Sequence, residues 1–435
     1  MTYQEALDFI SAQPRFAPRQ LAPGEEPFNL NAIRRLLSLL GDPQKDLRFV
    51  HIAGTNGKGS TAAFLSSILM ASGLRVGIYT SPFLERFTER IRMGEEEIPQ
   101  VELARCAGIV RDAVENMKAA GEPLPSEFEL VCAMAFLWFR ERKPDLVVLE
   151  VGMGGRLDAT NVIDCPDLAV ITTIGLDHME TLGDTLPKIA WEKAGIIKPG
   201  GHVLAAPQGA AVDAVFQTVC LERRATLHTA ALPVRTARPD LDGQSFALPD
   251  CSGLHIRLLG TYQIENGALA AQAALLLRES GWPVTDQAIR TGLDQASWPG
   301  RFELLGRAPA VLIDGAHNPD GANALRRSLE TYFPGRKITF VAGVLADKDY
   351  PAMLEAVRPL ADRFYTIMPP SPRALSAQAL AEHLRDNGAA AEPCSSIEEA
   401  IRQAMDHAGE DGVVCSFGSL YYIGLVRALF RRDED

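Results

Sequence analysis

One stretch constrains the fold of this chain more than any other: His51-Ile52-Ala53-Gly54-Thr55-Asn56-Gly57-Lys58-Gly59-Ser60-Thr61. The run from Phe49 to Ala53 reads as a buried strand, and a glycine-rich turn follows it. From about Ser60 to Ser72 the spacing predicts an amphipathic helix with Phe64, Leu65, Ile68 and Leu69 on one face and Gly73 placed to stop it. A strand, a glycine turn and a helix N-terminus make an anion cradle. The glycines let backbone N–H groups approach, the helix end adds positive potential, and Lys58 supplies a mobile charge. Ser60 or Thr61 is placed to offer a hydroxyl to Mg²⁺. The generic phosphate loop, Gly-x-x-x-x-Gly-Lys-Ser/Thr, does not fit, because Gly59 separates Lys58 from Ser60 and position 52 is Ile. The stretch reads as a nucleotide site of a special subtype.

With 435 residues the chain has room for two or three domains. A net charge of −12 argues against a broad nucleic-acid surface but says little about small anions, which answer to local charge. Seven cysteines without a CxxC pair point to a reducing compartment rather than a disulfide frame or a zinc site. The first residues carry no basic-then-apolar signal, and the longest apolar stretch, Leu130 to Phe139, is too short to span a bilayer. The expectation is a cytoplasmic protein, monomeric, without nucleic-acid or membrane partners.

Residues 1–48 read as a helix, a Pro/Gly-containing loop and a second helix, Asn31 to Leu40. Further strands are predicted at Val76–Tyr79, Leu146–Val151 and Leu168–Ile174, with helices near Val101–Ala119 and Ser126–Arg142. Such alternation means a mainly parallel α/β sheet with ligands at the strand C-terminal ends. The chemically rich residues sit there: Thr80-Ser81-Pro82-Phe83, Glu150 to Asp158, and Gly175-Leu176-Asp177-His178. From about 201 to 260 the pattern turns β-like and predicts extra strands beside the main sheet. Helices near Asn266–Ser280 and Thr285–Asp294 then close the first domain, and Trp298-Pro299-Gly300 is the linker candidate. A second alternation follows, with strands at Val311–Ile313, Ile338–Gly343, Phe364–Met368 and Val413–Phe417 and no second Gly-Lys loop. The predicted architecture is α/β: a P-loop-type, mainly parallel sheet domain over 1–297, then a smaller Rossmann-like α/β domain over 298–435. The charge run at 431–435 reads as a solvated end.

Each chemical signal alone admits a plainer reading. Glu150, at the tip of an apolar strand, is costly to bury without a cation. A Mg²⁺ between two phosphates would satisfy it, and so would capping of the turn. His178 fits a metal ligand, a phosphate contact or a hydrogen-bonded loop residue. Lys193, in Trp191-Glu192-Lys193-Ala194-Gly195-Ile196, fits a salt-bridged surface lysine, and Asp314-Gly315-Ala316-His317-Asn318-Pro319 fits an Asx/Pro turn.

Their joint order is specific. The chain resembles the folylpolyglutamate synthase/dihydrofolate synthase family of the Mur ligase superfamily. The match is carried by Gly54 to Ser60, Thr80-Ser81-Pro82, Glu89-Arg90-Ile91, Glu150 to Asn161, Leu176-Asp177-His178 and Glu192-Lys193-Ala194-Gly195. It continues through Pro299-Gly300-Arg301-Phe302, Asp314 to Pro319 and Gly418-Ser419-Leu420-Tyr421. The resemblance implies an ATP-dependent amide ligase. ATP phosphorylates the γ-carboxylate of a folate's glutamyl tail, and the amine of L-glutamate displaces phosphate from the acyl phosphate. Some members also convert dihydropteroate to dihydrofolate.

By motif position, Asn56, Gly57, Lys58, Gly59 and Ser60 would hold the triphosphate, and Asn266, Arg301 and Asp314 would close on the nucleotide. Ser81, Glu150 and His178 would bind two Mg²⁺ ions together with Lys193, there carbamylated. His317, at the domain cleft, joins Lys58 and Lys193 as a catalytic candidate. Ser126, Arg156 and Asp158 match positions near the pterin–benzoate end of the folate, and Ser419 is the candidate for the incoming glutamate. One departure is Phe83, where many members carry histidine, so any polar role there is absent or altered. A Mur-type cell-wall ligase would place a UDP-sugar domain before the phosphate loop, where this chain has about fifty residues. A small-molecule kinase would not need the second-domain residues.

Overall fold

The computed structural model describes residues 1–14 and 29–431. The expected Pro/Gly loop and all but the first residue of the charged end lie outside the described residues. The chain forms two compact units. One comprises Met1–Phe83, Phe87–Leu232 and Gly267–Leu293; the other comprises Leu84–Arg86, Pro233–Asn266 and the residues from Asp294 on.

The first unit is built on β1 (Phe49–Ala53), β2 (Val76–Tyr79), β3 (Ile91–Met93), β4 (Glu96–Glu97), β5 (Leu146–Glu150), β6 (Leu168–Ile171), β7 (His202–Ala205) and β8 (Thr226–Thr229). They pair in the order β4-β3-β2-β5-β1-β6-β7-β8. Pairing is parallel from β2 to β8, and the β3–β4 hairpin adds an antiparallel edge. β1, β2, β5 and β6 are buried at every position, as expected of parallel strands covered on both faces. One face packs under the helices Tyr3–Ser11, Asn31–Leu39, Gln100–Ala119, Glu127–Arg142, Leu186–Ala194 and Ala210–Arg223, and the β1–β2 crossover helix, Lys58–Ala71, lies on the other. The chain passes from β1 to β2 across β5, and from β5 to β6 across β1. The strand order therefore reverses at β1, a topological switch point where ligands bind. With Ile52 level with Glu150 and Ala53 level with Ile171, the loops after β1, β5 and β6 open side by side.

The helix after the phosphate loop runs Lys58–Ala71, two residues earlier than expected, and it is not amphipathic. Every residue from Ser60 to Ser66 is buried, as are Ile68 and Leu69. The helix is covered on its outer side too, by the helix Asp286–Gln295: a Cβ on Gly292 would lie 2.3 Å from the Ile68 Cα.

The region 201–260 also differs from the sequence reading. β7, the helix Ala210–Arg223 and β8 continue the main parallel sheet. β9 (Val234–Arg235), β10 (Gln244–Leu248) and β11 (Cys251–Ile256) form a separate antiparallel sheet within the second unit. The alternating burial of β10 shows why: it has one face to cover, unlike a strand inside a parallel sheet. The two units consequently do not divide at one point in the chain, whereas the expected division was single, at 297/298.

The second unit's main sheet contains β12 (Glu303–Arg307), β13 (Ala310–Asp314), β14 (Ile338–Ala342), β15 (Ala361–Thr366), β16 (Ala391–Pro393) and β17 (Val413–Phe417), ordered β12-β13-β17-β14-β15-β16. All pairs are parallel except β12 with β13. β12 and β16 escape the sequence pattern, one a half-exposed edge strand and the other three residues long. Among the described residues no helix is long and apolar enough to cross a membrane.

Candidate functional site

The phosphate loop is shaped by its own neighbours. Gly54 has φ +152°, and a Cβ there would sit 1.7 Å from Thr172 Oγ1. That hydroxyl needs the space because it donates to the Asn56 carbonyl at 2.7 Å. The Thr55 N–H donates to the Thr173 carbonyl at 2.8 Å. Thr55 Oγ1 donates to the Gly175 carbonyl at 3.1 Å and accepts the Gly175 N–H at 3.0 Å. The loop is thus stitched to the chain leaving β6. Gly57, at φ +87°, begins the helix without a side-chain cap. The first-turn N–H groups have no intrahelical acceptor and present a fixed anion site. Lys58 folds over this loop, donating to the carbonyls of Gly54 (3.0 Å) and Thr55 (3.1 Å).

Glu150 ends β5 with 3% exposure, and its Oε2 accepts the Ser81 N–H at 2.9 Å. Two of the four expected metal-binding residues are therefore neighbours, linked through the serine backbone. Ser60 is buried in the first turn of the loop helix. His178 adopts φ 51° at the start of the short helix Met179–Leu182, and its Nε2 lies 3.9 Å from Asp177 Oδ2. Among the described residues no three His, Cys, Asp or Glu side chains gather as a metal cage. One carboxylate and serine hydroxyls nevertheless suit Mg²⁺, which takes few protein ligands and fills its shell with phosphate oxygens and water; the imidazole is the unusual member of the set.

Lys193 is 4% exposed, and its Nζ donates to the Gly54 carbonyl at 2.8 Å, the oxygen that Lys58 also uses. Burial pushes its ammonium down to about 7, with the charge of Lys58 adding to the effect. The loop after β5 rests on this helix end. The Arg156 N–H donates to the Glu192 carbonyl at 2.7 Å, and its guanidinium pairs with the Glu192 carboxylate at 3.1 Å. A Cβ on Gly155 would lie 2.9 Å from the Glu192 and Lys193 carbonyl oxygens, and one on Gly195 would lie 2.3 Å from Arg156 Cα. Glycine at both positions lets two backbones touch.

Asp158, buried in the same loop, accepts the N–H groups of Met153 (2.9 Å) and Thr160 (3.0 Å), and burial raises its pKa. Thr160 Oγ1 in turn sits 2.8 Å from His51 Nε2. Burial holds that imidazole neutral, its pKa pushed down to about 3. His51 was not among the predicted site residues; its signal was a single histidine inside an otherwise apolar strand.

Ser126 has a structural task. It caps the helix Glu127–Arg142, accepting the Glu129 N–H at 3.4 Å and donating to Glu129 Oε2 at 2.8 Å. Ser126→Ala is expected to cost about 1 kcal/mol of stability, read by denaturant melts. An unchanged melt with a raised acceptor KM would place Ser126 on the substrate instead.

In the second unit, Asp314 ends β13 with 3% exposure and a pKa raised by burial. Its Oδ2 accepts the Tyr262 hydroxyl at 2.7 Å and the Phe302 N–H at 2.8 Å, and its Oδ1 accepts the Ala316 N–H at 2.8 Å. Both oxygens are engaged, so the carboxylate organises the turn around it. Arg301 lies across Gly315, where a Cβ would stand 1.9 Å from its Nη1. His317 Nδ1 is 2.8 Å from the Gly315 carbonyl, which makes that nitrogen a donor and turns Nε2 to the other side of the ring. Arg301, Asp314 and His317 are thus gathered on one turn. Asn266 donates to Gln263 Oε1 at 2.9 Å, and Ser419, 2% exposed, accepts the Tyr421 N–H at 3.3 Å. Tyr262 is the residue the sequence reading missed here.

Comparison with known proteins agrees with this geometry. Residues 52–275 match the Mur ligase middle domain, and residues 300–420 match the Mur ligase glutamate ligase domain. The folylpolyglutamate synthase of Lacticaseibacillus casei is 38% identical, with 98% of each chain covered. The dihydrofolate synthase/folylpolyglutamate synthase of Bacillus subtilis (strain 168) is 36% identical over 98% of each. A solved FPGS–AMPPCP–folate complex matches the fold with a TM-score of 0.83 at 34% identity, covering 99% of both chains. With a glycine-rich loop at the switch point and this likeness over nearly the whole chain, the chain belongs to the folylpolyglutamate synthase/dihydrofolate synthase family of the Mur ligases.

Proposed function

We propose that this protein is an ATP-dependent ligase that adds L-glutamate to the γ-carboxylate of a reduced folate, releasing ADP and phosphate, and that it accepts dihydropteroate as a second substrate. The observation that carries this reading is the reach of Lys193 to Gly54. One buried side chain ties the phosphate loop to the helix end on which the Arg156–Asp158 loop rests. A simple ATPase has no use for that link, whereas an enzyme that moves a phosphoryl group onto a second substrate needs both held in one frame.

In the first step a carboxylate oxygen of the acceptor attacks the γ-phosphorus and ADP leaves. In the second the amine of glutamate attacks the acyl carbon and phosphate leaves. The loop's N–H groups and Lys58 hold the triphosphate and meet the charge that moves onto ADP. Arg156 and Asp158 orient the acceptor, Arg301 serves the nucleotide, and His317 Nε2 suits uptake of the proton the amine sheds. Two Mg²⁺ ions held by Ser81, Glu150, His178 and a carbamate on Lys193 would neutralise charge on the transferred phosphoryl group. What supports the carbamate is the setting of Lys193: burial lowers its pKa to about 7, and the neutral amine that this favours can add CO₂ with loss of a proton.

The test is ADP release with each component withheld in turn. Rapid release is expected only with ATP, Mg²⁺, L-glutamate and either tetrahydrofolate or dihydropteroate together. Comparable turnover without an acceptor would reduce the protein to an ATPase. Turnover with a UDP-muramyl acceptor would move it to another branch of the ligases.

A further inference from the structure

We propose that Tyr262 is a positioning residue for Arg301, acting through Asp314 and the left-handed turn at Phe302. The proposal rests on the reading of Arg301 as a nucleotide-handling residue.

Phe302 has φ +47°, a conformation that a bulky side chain seldom adopts. Something must hold it there, and the holder is visible. The Phe302 N–H donates to Asp314 Oδ2 at 2.8 Å, while the phenyl ring is fully buried with its centroid 5.3 Å from that of Tyr332. On the other side of Arg301, the Gly315 N–H donates to the Gly300 carbonyl at 2.9 Å, and the Gly300 N–H donates to Glu303 Oε2 at 2.7 Å. The backbone of Arg301 is thus pinned before and after, and its guanidinium is laid over Gly315. The pin after it depends on where Asp314 Oδ2 points.

Tyr262 sets that direction. Its hydroxyl donates to the same oxygen at 2.7 Å, from a segment far from both β13 and the Phe302 turn in sequence. Asp314 is nearly buried, so its oxygens depend on protein donors to offset lost water. Without the phenol, Oδ2 keeps the Phe302 N–H and Oδ1 the Ala316 N–H, so the carboxylate loses one of three described restraints, the one that comes from outside the turn. The packing shows that the ring's place is provided for. Gly260 has φ +92°, and a Cβ there would come within 3.1 Å of both Phe302 Cβ and the Tyr262 ring. An aromatic ring needed only for packing would not need its hydroxyl on the carboxylate that anchors the turn.

The experiment is a double-mutant cycle on the full-length enzyme with Tyr262→Phe, which keeps the ring, and Arg301→Ala. Tyr262→Phe is expected to raise the KM for ATP and lower kcat, roughly 3–10-fold in kcat/KM, as loss of one hydrogen bond to a buried carboxylate implies. The acceptor KM stays near wild type, while the melting temperature falls modestly because buried Asp314 loses a donor. In the Arg301→Ala background the same change has an effect below about twofold, because there is no guanidinium left to misplace. If Arg301→Ala is impaired but Tyr262→Phe behaves as wild type, the positioning role is wrong. An equal loss in both backgrounds would make Tyr262 a packing residue and overturn the proposal as well. If Arg301→Ala itself leaves ATP kinetics unchanged, the assignment of Arg301 fails, and the inference built on it fails separately from the ligase reading.

Discussion

Lys58→Ala is expected to lower turnover by roughly 10²–10³-fold, the loss that follows removal of one strong transition-state contact, worth about 2.7–4 kcal/mol. The geometry makes this a clean experiment. The cradle itself is backbone: Gly54 and Gly57 set its shape, and the stitches to Thr173 and Gly175 do not involve Lys58. What the substitution removes is a mobile cation whose present partners are two carbonyls of the same loop. The protein should therefore stay folded and still bind ATP while phosphoryl transfer slows, which single-turnover ADP formation with folded protein will read. There is a second consequence. The charge of Lys58 is one of the influences that depress the Lys193 pKa, so in Lys58→Ala that pKa should rise. Near-wild-type turnover would show that this loop is not the catalytic cradle.

Lys193→Ala should abolish most activity by a comparable factor, roughly 10²–10³-fold, and short carboxylates should restore part of it. Acetate can occupy the place of the carbamate and offer oxygen ligands to a hard cation. Restoration by a small alkylamine alone, with acetate inert, would mean that the ammonium itself is the working group.

The pH behaviour gives an independent reading. The folded pKa of about 7 lies below the ordinary 10.5, and burial is the main cause. Between these values the unfolded chain holds a proton on Lys193 that the folded chain has shed. Stability must then rise as pH climbs from about 7 towards 10.5, and the cost of burying the charge is felt in full below 7. In CO₂-free, metal-free buffer, urea melts of Lys193→Met should lack that slope. A wild-type stability that is flat across this range would show that Lys193 stays charged in the folded protein.

What could be read in advance were relations between residues near one another in the chain. The strand, glycine turn and helix around Gly54 to Ser60 are contiguous, so their geometry follows from local preference alone. Glu150 and His178 stood out because a polar residue at the end of an apolar run marks the ligand edge of a parallel sheet. Even here a local rule was passed over: Ser126 and Glu129 spell a capping box, which accounts for that serine without a substrate.

The sequence by itself determined the α/β alternation in both halves, the phosphate loop, and the order of motifs that identifies the family. Periodicity and turn chemistry act over a few residues, and that is the range at which those features are encoded. Only the tertiary structure decided that Lys193 meets Gly54 across 139 positions, that Tyr262 meets Asp314 across 52, and that 233–266 packs with the second unit. It also decided that the phosphate-loop helix is buried all round. Those outcomes depend on which surfaces are covered when sheets and helices come together. The resulting burial turns Lys193 from an ordinary ammonium into an amine poised near neutrality.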